Sequence, residues 1–218
     1  MDQNPPSRRV YRAHREKQRG LILDAAERLF DLRGIERVTM ADIITATGLM
    51  RSTIYQYFAN KDEIVWALVQ QVLEHTTAVL QQRLQESDGS ALTTITALLA
   101  YMGDELVANP ERVRFMAQFD ALYARDWSAE QLLAIEAQVA PQPLAAALTA
   151  LARTGIADGS LHPDLDPELT VHSILNAAIA IQRRVASLGD RVEQEYGQPI
   201  DRLFHEACRV ILRGLQTH

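Results

Sequence analysis

The sequence predicts an all-α fold. Apolar residues recur every three or four positions in segment after segment along the 218 residues. No convincing strand and no internal repeat interrupts that pattern. Gly and Pro fall between the segments, at Gly34, Gly48, Pro110, Pro141, Pro143, Gly159 and Pro199, where helices stop or start. A hydrophobic content of 47% is ample for one or two packed domains.

Residues 1–7, with Pro5 and Pro6 and no apolar period, are expected to be disordered. Arg8, Arg9, Arg12, Arg15, Lys17 and Arg19 then stand against a single acid, Glu16. Such an arm can lie along phosphates or dip into a minor groove, or it can be a solvated leader; its entry into the first helix favours DNA contact. That helix is expected from about Lys17 to Leu32, with Leu21, Ile22, Ala25, Ala26, Leu29 and Phe30 at helical spacing.

Two short helices with a tight turn follow between Thr39 and Lys61. Thr39 and Asp42 have the spacing of a capping box, and Gly48 supplies the backbone freedom of a sharp turn. Arg51 to Phe58 forms the second helix, closed by Asn60. Two turns are not stable alone, so a larger body must hold them. The arrangement is a helix-turn-helix, whose second helix enters the DNA major groove. Arg51, Ser52, Thr53, Tyr55, Gln56, Tyr57 and Lys61, with Thr39, are the candidate DNA-binding residues. Hydroxyls and cations suit phosphate oxygens, and Gln can pair with adenine through two bonds. We assign base edges to Arg51, Thr53 and Gln56 and phosphates to Thr39, Tyr57 and Lys61. Ile54 and Phe58 are expected to anchor the helix.

Residues 19–66 resemble the DNA-binding domain of the TetR family of bacterial transcriptional repressors. The resemblance rests on Ile22, Ala25, Ala26, Leu29, Phe30 and Gly34, on Val38 to Ile43, and on Gly48-Leu49. Thr53-Ile54-Tyr55, Tyr57-Phe58 and Lys61-Asp62-Glu63 complete it. It covers about a third of the chain. Met50 departs from it, standing where the family has a small polar residue that can cap the recognition helix. The helix start is therefore expected to shift to Ser52.

The domain boundary is placed after residue 60, giving a DNA-binding domain over 1–60 and a helical effector-binding and dimerisation domain over 61–218. Lys61 to about Glu86 is a long helix with apolar residues on two sides, so it must be covered on two sides. Further helices are expected over Ala91 to Ala108, Glu111 to Arg125 and Leu144 to Ala157. Ser128 can cap a helix that Pro141 and Pro143 interrupt. The last two helices run from Pro167 to about Leu188 and from Pro199 to Leu215. Each carries two apolar seams, which suggests one for the body and one for a partner. Val171, Ile174, Ala178, Ile181 and Val185, with Leu203, Ala207 and Val210, form the candidate dimer interface, although either seam could face the partner. The family resemblance implies a homodimer joined through a four-helix bundle of these two elements.

Charge divides unevenly. Residues 1–61 hold 11 basic and 7 acidic side chains, a balance of +4, and residues 62–218 hold 11 and 21, a balance of −10. A basic head on an acidic body orients itself on a polyanion. No run approaches a membrane-spanning length, and Met1 to Arg9 lacks an apolar signal core, so a soluble cytoplasmic protein without membrane partners is expected.

Catalytic residues, metal ligands and cofactors are not expected. The six histidines are scattered, and there is no glycine-rich phosphate loop. His205-Glu206-Ala207-Cys208-Arg209 fails the zinc-protease pattern at Arg209. Cys208 sits in an apolar seam as a structural cysteine. A protein-binding helical adapter is the other rival, and the basic head argues against it. The family resemblance further implies a cavity for a small, largely apolar effector. Met102, Phe115, Gln118, Phe119, Tyr123, Trp127, His172 and Asn176 are candidates for its wall. An aromatic stripe at that spacing is also what a plain core shows. The expected function is a repressor released by its effector from an inverted-repeat operator on double-stranded DNA.

Overall fold

The structure, a computed structural model, describes residues 8–123, 130 and 143–216. Expectations for residues 1–7, Trp127, Ser128 and Pro141 lie outside them. The basic leader is helical: α1 covers Arg8–Arg33 and starts nine residues before the expected Lys17. Arg, Ala, Glu, Lys and Gln are strong helix formers, and no Gly or Pro occurs between Arg8 and Arg19. Arg12 Nε meets Glu16 Oε1 at 3.0 Å one turn on. Apolar periodicity reports only the part of a helix that faces a core, so it missed these polar turns.

The chain divides into two compact units, Met1–Gln71 and Val72–His218. The division falls inside α4, Lys61–Glu86, eleven residues beyond the sequence-based boundary. The first turns of α4 bury Ile64, Val65, Leu68 and Val69 and so belong to the first unit. With α1 in that unit are α2, Met40–Thr47, and α3, Arg51–Tyr55. Its buried side chains include Ile22, Phe30, Ile35, Ile43, Ile54 and Phe58.

The second unit holds α5 (Ala91–Ala108), α6 (Pro110–Tyr123), α7 (Pro143–Ala157), α8 (Pro167–Leu188), α9 (Arg191–Tyr196) and α10 (Ile200–Arg213). Helix α8 packs against α5, α6, α7 and α10. Its start is set by Asp166, whose Oδ1 accepts from Leu169 N at 2.7 Å, with Pro167 in the first turn where its missing N–H costs nothing. Helices α5 and α10 approach closely at Gly103, where a Cβ would lie 3.0 Å from His205 Nε2. Among the described residues no strand occurs. One expectation is corrected: α5 is long and apolar enough to cross a membrane, with a mean hydropathy of 1.2 over 18 residues. Half of that window is buried, as in the central helix of a packed unit.

Burial also corrects the dimer set. Val171, Ile174, Ala178 and Val185 are in the unit's own core together with Phe204 and Cys208, so they have no surface left for a partner. The body must cover α8 with α5, α6, α7 and α10, and that uses the seam assigned to the interface. Ile181, Leu203 and Ala207 are half-buried and Val210 is exposed, so these four keep accessible surface.

Candidate nucleic-acid interface and ligand cavity

The helix-turn-helix is built by local chemistry. Thr39 caps α2 with extended backbone, its Oγ1 accepting from Asp42 N at 3.2 Å, while Asp42 Oδ2 accepts from Thr39 N at 2.8 Å. Arg33 Nη1 reaches Asp42 Oδ1 at 2.8 Å and ties this cap to the end of α1. The Asp42 carboxyl is held far below the usual range, first by the Thr39 hydroxyl, then by Arg33. Gly48 has φ +66°, the left-handed turn an L side chain resists, and its N–H closes α2 on Ile44 O.

Helix α3 starts at Arg51, not Ser52. Met50 takes the cap position with no side-chain hydrogen bond and is 77% exposed. The backbone alone suffices, Thr53 N and Ile54 N both donating to Met50 O. Regular helix ends at Tyr55, yet Phe58 N still donates to Ile54 O at 3.0 Å. Asn60 does not close α3; its Oδ1 accepts from Glu63 N and caps α4. Ile54 and Phe58 are buried as expected. Each contributes roughly 1.5–3 kcal/mol of apolar burial to hold a helix too short to stand alone.

That anchoring leaves Arg51, Ser52, Tyr55 and Gln56 exposed, and Thr53 half-buried beside them. Arg51 lies over the Tyr55 ring, 5.3 Å from its centroid. Tyr57 and Lys61 have structural partners. The Tyr57 hydroxyl donates to Gln18, and Lys61 Nζ donates to Ile35 O at 2.8 Å. Lys61 thus satisfies the backbone after α1, a duty that its sequence position did not reveal.

In the second unit a partly open cavity measures about 150 Å³. It is walled by Val72, Leu73, Thr76 and Leu80 of α4, Tyr101, Met102 and Glu105 of α5, Arg112, Val113 and Met116 of α6, and Leu175, Ile179, Gln182 and Arg183 of α8. A smaller cavity of about 40 Å³ shares Leu80, Met102 and Leu175. Of the sequence candidates among the described residues, only Met102 lines either one. Phe115 and Phe119 are buried on another face of α6, because each residue turns the helix by about 100° and Val113 and Met116 occupy the cavity side. Phe119 and Tyr123 stack at 5.2 Å. Gln118 is half-buried away from both cavities, and His172 and Asn176 are exposed. Asn176 lines an open groove with Asp120, Arg183, Arg184 and Ser187. Gln182 and Arg183 interrupt the apolar run from Ala177 to Ile181, and that was the one sequence signal for this wall. No group of three or more metal-ligating side chains occurs among the described residues.

Residues 22–68 match the family described as bacterial regulatory proteins, tetR family. This segment is a TetR-family domain. The regulator TtgR of Pseudomonas putida is 36% identical over 92 residues, 42% of this chain and 44% of TtgR. The match therefore spans less than half of that relative. The repressor KstR2 of Mycobacterium tuberculosis is 25% identical over 191 residues, 83% of this chain and 88% of KstR2. Among solved structures, a TetR-family regulator from Agrobacterium tumefaciens superposes with a TM-score of 0.71 at 19% identity, over 93% of this chain and 100% of that one. SmeT, the repressor of the Stenotrophomonas maltophilia efflux pump SmeDEF, does so at 0.67 and 22% over 91% and 90%. SmeT has also been solved as a complex with triclosan. At these identities the superpositions establish the two-part helical fold of this chain.

Proposed function

We propose that this chain is a sequence-specific DNA-binding transcriptional regulator, a repressor released from an inverted-repeat operator by a small effector. The observation that carries the reading is the exposed set Arg51, Ser52, Tyr55 and Gln56 on a helix pinned by buried Ile54 and Phe58. Polar groups that could pair with one another in water stand together on the one face that packing leaves free. Gln56 with Arg51 and Thr53 reads base edges, and Thr39 and Tyr57 contact phosphates.

An inverted repeat follows from two-fold symmetry. The chain acts as a homodimer through the outward faces of α8 and α10, where Ile181, Leu203, Ala207 and Val210 keep accessible surface. The effector occupies the 150 Å³ cavity. SmeT's complex with triclosan supports a ligand-responsive reading by analogy. Helix α4 supplies four residues to that cavity and its first turns to the DNA-binding unit. An effector that favours one position of α4 then competes with the operator, and linkage makes the mutual weakening equal in both directions.

Fluorescence anisotropy with DNA from directly upstream of the chain's own coding region tests this. Affinity should exceed that for random DNA and fall steeply with salt. Gln56→Ala should cost about 1–3 kcal/mol on the operator and relax preference at one base position. An equal loss on operator and random DNA would remove Gln56 from base reading.

A further inference from the structure

The larger cavity is mostly apolar, yet two cations face it. Arg112 and Arg183 stand in its wall against a single carboxylate, Glu105. Glu105 is already engaged, accepting from Asn109 Nδ2 at 3.2 Å on each oxygen and lying 3.6 Å from Arg112 Nη1. Arg183 pairs with Asp120, but Asp120 is not part of the cavity wall. It lies on the open groove outside, with 44% of its side chain exposed. A guanidinium carries five N–H donors and one carboxylate engages two, so this pair leaves donors for a second acceptor. Burial lowers the Arg183 pKa to about 10, which leaves it cationic at neutral pH and poorly solvated.

A second, independent observation lies on the same wall. Tyr101 is 6% exposed and its hydroxyl has no hydrogen-bond partner among the described residues. Burial, then the charge of Glu105, raises its pKa, so the phenol remains a donor. A buried hydroxyl without a partner is unfavourable unless something that enters the site accepts from it.

Size narrows the class. A space of about 150 Å³ is the volume that takes a molecule of about one aromatic ring. The adjoining 40 Å³ space allows a small alkyl extension.

We propose that the effector is a small organic monocarboxylate, an apolar body of about one aromatic ring whose anionic head is held by Arg183 and accepts from Tyr101. This rests on the reading of the cavity as the effector site and names the chemistry of its ligand.

Phenylacetate and its neutral isostere phenylacetamide are the probes, titrated calorimetrically into the full chain at neutral pH. Phenylacetate should bind at least about tenfold more tightly, a 1.4 kcal/mol preference. In Arg183→Gln that ratio should fall to about one while the affinity for the amide is retained. Arg183→Gln leaves Asp120 alone, so the double variant Asp120→Asn with Arg183→Gln repeats the measurement with a neutral pair. Tyr101→Phe, which keeps the ring, should weaken phenylacetate severalfold. Equal affinity for acid and amide, no binding of either, or an acid preference that survives both Arg183 variants would each overturn the carboxylate class. Operator release by the amide, followed in parallel by anisotropy, would overturn the class while leaving the effector-responsive reading standing.

Discussion

The hydroxyl of Tyr57 donates to Oε1 of Gln18 across 2.8 Å, joining residues 39 positions apart. The same ring lies beneath Arg15, 5.6 Å from its guanidinium carbon. Tyr57 follows the recognition helix directly, and Gln18 and Arg15 lie on α1, so the end of α3 is held in place by the helix that the basic leader extends. A residue read from sequence as a phosphate contact therefore holds the end of the helix proposed to read bases.

Removing that bond should be measurable without disturbing the ring. Tyr57→Phe keeps the stacking of Arg15 and should cost about 0.5–1.5 kcal/mol in urea unfolding. A double-mutant cycle with Gln18→Ala should return a coupling energy of similar size. Strictly additive losses would mean that the two groups do not act together in solution.

Acid should weaken the cap of α2. Thr39 and Arg33 hold the Asp42 carboxyl below its ordinary pKa in the folded chain. A depressed folded value means that the stabilisation is present above the unfolded value, about pH 4, and is lost as pH falls toward the folded value. Urea midpoints measured from pH 7 down to pH 3 should therefore decline, and Asp42→Asn should flatten that decline while lowering stability at pH 7. A variant with the wild-type pH profile would assign the acid sensitivity elsewhere.

Gly155→Ala tests a close approach in the second unit. In an exposed helix this change would be favourable by up to about 1 kcal/mol. Here an added Cβ would fall 2.5 Å from Ala91 Cβ and 2.7 Å from Leu161 Cγ. Ala91 has no rotamer with which to yield, so the clash decides the sign, and a net loss of about 1–3 kcal/mol is expected by denaturant unfolding. Adding Ala91→Gly should recover part of it.

Cys208 should be inert in the folded chain. It is 5% exposed, and burial pushes its thiol up to about 11. Only about one in a thousand molecules would carry a thiolate at pH 8, and the thiolate is the nucleophile. An aromatic disulfide reagent should react slowly with native protein and fully after unfolding. Rapid stoichiometric reaction of the native chain would contradict its place in the core.

Helix periodicity located the elements where one face is apolar and the other polar. Ala91 to Ala108 and Lys61 to Glu86 came out at their observed ends, because a core face and a cap or break mark each terminus. Arg191–Tyr196, a six-residue turn between Gly189 and Gly197, has too little apolar repeat to register. The cavity wall fared worst, with Met102 alone among its described candidates in place. Aromatics attract attention in a sequence, whereas here Phe115 and Phe119 fill the core and a mixed wall of Leu, Tyr and Arg lines the space.

Local sequence by itself determined the helix-turn-helix. Thr39, Asp42 and Gly48 act within a few residues of themselves, and Ile54 and Phe58 lie four apart on one face, so neighbours in the chain are neighbours in space. Only the tertiary structure decided which of two apolar seams on Pro167–Leu188 is buried, and that Lys61 serves Ile35 and Arg183 faces a cavity. Those outcomes depend on which helices meet, and a side chain's partner across 26 residues, as for Lys61 and Ile35, is set by packing, on which the 3.6-residue period is silent.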